Sequence, residues 1–193
     1  MPSTCSGGNV ISTQRLLAPL LASALLLAGC ARGPSIETPL PDALGGLRAA
    51  PAVELDAERV AADAVDVRAL GSLLADAGFQ VAVERTYSGP GSQIRRVTVR
   101  VLRFEDPAGA ERYLSWLRAH PDQVIGDIAE TADTDVGPLF VHEPGGCCPK
   151  ELPLAMAAWR AGSEVVRVIV AGPEADGAAG GEVVARVREL TTG

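Results

Sequence analysis

The sequence predicts an α+β domain: an antiparallel sheet with helices packed on one face, for which two ββα units behind a leading helix are one of two readings. Three observations predict it. Several segments alternate apolar and polar residues with period two and are joined by short Gly/Ser/Pro turns, the pattern of antiparallel strands. Other segments carry apolar residues at helical spacing behind capping residues. Finally, "VRVLRFEDPAGAERYLSWL" and "VRVIVAGPEADGAAGGEVVARVREL" both run strand, turn, helix, each after another strand. Chance repetition of Val-Arg-Val strings is an equally good account of that echo. Either way strands and helices combine in one domain.

The folded part is expected over residues 54–193. "ELDAERVAADAVDVRALGSLLADAG" reads as helix broken in two, with Val67, Leu70, Leu73 and Leu74 on one stripe, Asp66 at its start and Gly78 at its end. "FQVAVERTY" reads as a strand with Phe79, Val81 and Val83 on one face. "SGPGSQ" is a turn. In "RRVTVRVLRF", Val97, Val99 and Val101 share one face and Arg96, Thr98 and Arg100 the other. Asp106 as N-cap and Pro107 in the first helical position open the next helix, whose apolar face is Ala110, Tyr113, Leu114 and Leu117; Pro121 stops it. Residues 122–138 are weakly patterned, with one short strand at Val124–Ile128 followed by loop. "LFVHE" reads as a strand and "PGGCCPKELP" as a loop. Two strands then meet at Ala161-Gly162-Ser163. The second, Val165–Val170, is apolar on both faces except for Arg167, which marks a central strand. A last helix spans about Gly180 to Leu190, with Val183, Val184, Val187 and Leu190 inward.

Ahead of this domain lie two segments of other kinds. After Arg15 comes "LLAPLLASALLLAG", Leu16 to Gly29. Fourteen residues are short of the roughly 20 needed to span a bilayer, but suit the apolar region of a signal peptide. Leu27-Ala28-Gly29-Cys30 then resembles the lipobox of bacterial lipoprotein precursors. The resemblance covers about the first 30 residues and leaves the family of the mature domain unrecognised. It implies diacylglyceryl modification of the Cys30 thiol, cleavage between Gly29 and Cys30, and further acylation (palmitate-type chains) at the freed amine. It also implies an extracytoplasmic protein held by lipid, in the cell membrane of a Gram-positive host or the outer membrane of a Gram-negative one. Residues 1–29 would be the signal peptide. Residues 30–53, with Pro34, Pro39, Pro41, Pro51 and Gly45-Gly46, read as the lipidated cysteine and a flexible tether.

The 193 residues carry a formal net charge of −7 and one lysine, Lys150. An acidic chain without a basic block argues against nucleic acid as a partner. The expected partners are the membrane, through the anchor, and an envelope protein or small ligand.

Cys147 and Cys148 are the most unusual pair. With Cys5 discarded and Cys30 lipidated they are the remaining thiols. Adjacent α-carbons stand about 3.8 Å apart, below the roughly 4.4 Å lower limit of ordinary disulfides, so a vicinal disulfide here is strained. Three readings stand open: that disulfide, free or intermolecularly paired thiols, and a thiol-redox or soft-metal role with His142. The last makes the alternative function, a thiol-redox or metal-handling lipoprotein. Adjacent cysteines lack the spacing that suits zinc, and no metal or other cofactor is expected.

Enzymatic residues are not expected. There is no nucleophile elbow around Ser92, Ser115 or Ser163, and no phosphate or dinucleotide loop. His120 reads as a helix C-terminal residue, and Trp116 and Trp159 as core residues before pocket residues. Arg95, Arg96, Arg100 and Arg103 form either a stripe facing an anionic ligand or, the better reading, a solvated face balanced by acids. The expected function is that of a lipid-anchored extracytoplasmic binding or accessory protein of the cell envelope, its ligand unknown.

Overall fold

The computed structural model describes residues 35–90, 93–135, 137–144 and 152–192. Gly29, Cys30, Cys147 and Cys148 lie outside them. In chain order the elements are β1 (Ala43–Leu44), β2 (Leu47–Ala49), β3 (Val53–Leu55), α1 (Ala57–Ala61), α2 (Val67–Asp76), β4 (Phe79–Ser88), β5 (Arg96–Phe104), α3 (Pro107–Ala119), α4 (Asp122–Ile125), β6 (Glu130–Thr134), β7 (Gly137–His142), β8 (Leu154–Ala161), β9 (Glu164–Ala171) and α5 (Ala178–Thr192). The strands form one antiparallel sheet in the order β1-β2-β4-β5-β9-β8-β7-β6, with β3 also paired to β4. This is an α+β protein.

Strand alternation sorts the core into two layers. Leu102, Phe104, Met156, Ala158 and Val165 point to one face and pack against Leu70, Leu74, Tyr113, Leu114 and Leu117 of α2 and α3. Their neighbours Val97, Val99, Val101, Ala155, Ala157, Val166, Val168 and Val170 point to the other and pack with Val184 and Val187 of α5. The helices therefore cover both faces, not one. The reason is legible in β8 and β9: central strands largely apolar on both sides need two covers. Both strand–strand–helix successions are present, β4–β5–α3 and β8–β9–α5, but their helices go to opposite faces.

Three further expectations are corrected. The segment read as tether contributes β1–β3 from residue 43 onward, and Ile36, Leu40 and Leu44 pack on the α5 face. Pro41 and Pro51 lie just outside the short strands, where a missing N–H costs no sheet bond. Phe79 does not share a face with Val81 and Val83. A register shift between Phe79 and Val81 turns Phe79 to the helix face, 6.0 Å from the Phe104 ring, while Val81 and Val83 stay opposite Arg103 and Val101. Residues Val124–Ile128 are not a strand. Pro121 opens the short helix α4, and the strand in this region is β6.

The predicted caps are in place. Asp66 accepts the Ala69 N–H at 2.9 Å, and Asp106 accepts the Gly109 N–H at 2.7 Å with Pro107 behind it. Asp106→Ala is expected to cost about 1 kcal/mol in urea unfolding. Gly181 sits inside α5 with nothing within 4 Å of the position a Cβ would take. Gly181→Ala is expected to stabilise the protein by about 0.5–1 kcal/mol in the same measurement, through helix propensity alone. No helix among the described residues is long and apolar enough to cross a membrane.

Candidate functional site

At the centre of the sheet two arginines face each other. Arg100 of β5 is the direct partner of Arg167 of β9, and both point to the face of α1–α4. They are 4% and 2% exposed, figures that exclude solvation as the balance for their charge. Two like charges opposed across a ladder repel, and a buried unpaired charge is costly. The fold answers with two carboxylates. Asp63, in the connection between α1 and α2, places Oδ2 2.5 Å from Arg100 Nη1 and 2.9 Å from Arg167 Nη2. Glu84 of β4, opposite Arg100, accepts from Arg100 Nε at 2.8 Å and from its Nη2. Burial works against the charge on Arg167, but Tyr113, Asp63 and Glu84 outweigh it and hold its pKa above the ordinary arginine value.

The network is not saturated. Nη1 of Arg167 and Nη1 of Arg100 are buried without an aligned hydrogen-bond acceptor, the latter despite its close ion pair with Asp63, and the Tyr113 hydroxyl is also unpartnered. Buried donors of this kind are rare in finished cores.

A pocket of about 280 Å³ lies over the pair. The four charged residues line it, joined by Arg96 and Thr98 of β5 and by an apolar side made of Val124 and Ile169. Arg96 is exposed and forms no ion pair among the described residues. A wider cleft of about 520 Å³ runs beside the β8–β9 turn. Its charged side chains are already committed. Glu164 accepts the N–H groups of Glu37 and Thr38 at 2.7 and 2.8 Å, Glu37 pairs with Arg103, and Arg160 pairs with Glu111. The smaller pocket is the one with unspent polar groups.

The arginine series is thus split. Arg96 and Arg100 share the pocket face, Arg103 lies on the opposite face against Glu37 and Glu164, and Arg95 precedes the strand in exposed chain. The solvated-face reading fails at Arg100, which is buried, though its balance by acids holds. Arg167, the single charge in an apolar strand, marks a central strand in the sequence but does not read there as part of a site. Nothing in the sequence marked Asp63 or Glu84 among 24 acids.

The remaining candidates lie elsewhere. Trp159 is buried in the α5-side core, and Trp116 stacks between Tyr113 and His120. His120 ends α3, its Nδ1 3.0 Å from the Trp116 carbonyl oxygen. His142 ends β7, with Nδ1 2.8 Å from the Asp127 carbonyl oxygen. Ser163 lies in the β8–β9 turn, Ser115 is exposed on α3, and Ser92 is outside the described residues. Among the described residues no three His, Cys, Asp or Glu side chains gather as a metal site.

No family model matches the chain, and no curated protein matches it. Among solved structures it is similar to the extracellular domain of PknH from Mycobacterium tuberculosis, with 13% identity, 77% of this chain and 86% of that chain covered, and a TM-score of 0.47. A likeness that slight transfers neither an activity nor a ligand.

Proposed function

We propose that the chain is a lipid-anchored, extracytoplasmic binding or accessory protein of the bacterial cell envelope, without enzymatic activity, and that it binds at the Arg100–Arg167 pocket. The address rests on the lipobox-like Leu27-Ala28-Gly29-Cys30. One or more acyl chains on Cys30 would do the anchoring.

The observation that carries the binding half is the buried arginine pair beneath an open pocket. A protein optimised only for stability gains nothing from two charges at the centre of its sheet, since apolar residues of similar volume serve as well or better. Charge kept there at such cost is characteristic of a binding site.

The test of the anchor is Cys30→Ala in the host. It should abolish metabolic labelling with a fatty-acid probe and leave uncleaved precursor. A variant processed and labelled like the parent would overturn the anchor.

A further inference from the structure

We propose that the pocket beside Arg100 and Arg167 takes a small organic acid, held by its carboxylate or phosphate group. This deepens the binding reading given above and rests on it.

Charge comes first. The pocket is lined by three arginines and two carboxylates. Asp63 and Glu84 balance the two buried arginines, so Arg96 at the rim is the cation left over. A ligand of negative charge restores neutrality; a cation would meet an uncompensated guanidinium.

Hydrogen bonding points the same way. Arg167, whose side chain lines the pocket, has a buried Nη1 without an acceptor, whereas Arg100 Nη1 is already held by Asp63. Guanidinium groups donate and cannot accept. The missing partner is therefore an oxygen with lone pairs, and an oxyanion supplies several in one group. Thr98, which also lines the pocket, carries a hydroxyl able to donate.

Shape sets the rest of the ligand. Val124 and Ile169 give the pocket an apolar side that a bare inorganic ion leaves uncovered. A cavity of about 280 Å³ is at the small end of ligand sites. It suits an oxyanion head with a short hydrocarbon body laid on Val124 and Ile169.

The test titrates the full chain in non-ionic detergent with butyrate, butyl phosphate, inorganic phosphate, n-butanol and n-butylamine, following backbone amide chemical shifts. Butyrate or butyl phosphate should shift the amides of Thr98 and Ile169 saturably, and the tighter of the two identifies the head group. Inorganic phosphate should bind more weakly than butyl phosphate. Arg96→Ala, at an exposed position, should weaken binding by about tenfold or more. Arg95→Ala, next to it but outside the pocket, should leave binding unchanged. Failure of both organic anions to move these amides, or equal affinity in Arg96→Ala, overturns the proposal. If n-butanol or n-butylamine moves them instead, the oxyanion class is wrong while the pocket remains a binding site. If no probe moves them, the proposal falls. The anchor is judged separately by Cys30→Ala.

Discussion

Asp63→Ala is expected to lower the unfolding free energy by about 3 kcal/mol in urea titration. One carboxylate oxygen contacts both buried arginines. Without it Arg167 loses its ion-pair partner at 2% exposure, while Arg100 keeps Glu84. Removing one member of a buried ionic group typically costs about 3–5 kcal/mol, because the charge left behind stays desolvated. The lower end applies, since the Asp63 side chain is 38% exposed and water can enter where it stood. The mechanism makes a second demand. Arg167→Met in the Asp63→Ala background removes the stranded charge and should recover much of the loss. If Asp63→Ala unfolds at the parent's urea midpoint, the carboxylate does not stabilise the arginine pair.

Gly109→Ala is expected to destabilise the protein by about 3 kcal/mol, against the usual sign for a glycine inside a helix. Helix propensity alone favours alanine by about 1 kcal/mol. At Gly109, however, a Cβ would lie 2.0 Å from the Ala77 carbonyl oxygen and 3.4 Å from the Phe104 Cβ. The obstacle is backbone at the end of α2, so no rotamer change relieves it. The start of α3 must move away, stretching the Asp106 cap and loosening Tyr113 over Phe104. Overpacking commonly costs about 1–3 kcal/mol, and a backbone clash belongs at the upper end. Thermal unfolding should show opposite signs for Gly109→Ala and Gly181→Ala. A Gly109→Ala protein as stable as the parent would mean that α2 and α3 do not meet as closely as described.

What the sequence revealed follows how local the cause was. The caps at Asp66 and Asp106, the β8–β9 turn at Gly162 (φ +62) and the central position of β9 all arise within a few residues, and all were legible. The face of Phe79 depended on a register shift set by pairing with β5, which period-two counting cannot contain. The strands β1–β3 were hidden because two- and three-residue strands carry no periodicity, and the prolines and glycines around them read as linker. At the site, Arg167 stands out as a charge in an apolar strand, while Arg100 reads in the sequence as part of a solvated face. Their facing register joins residues about 70 positions apart and the Asp63 bridge residues about 40 and 100 apart, and no local pattern encodes that. The second helical layer was nonetheless implied by the two-sided apolar strands and was the most readable of the missed features.

The proposed lipid anchor is tested most directly by the intact mass of the chain recovered from the membrane fraction of its host. The expected result is a chain beginning at Cys30 with the added mass of a diacylglyceryl group, with or without a further acyl chain. An unmodified chain beginning at Met1, recovered from the soluble fraction, would contradict it.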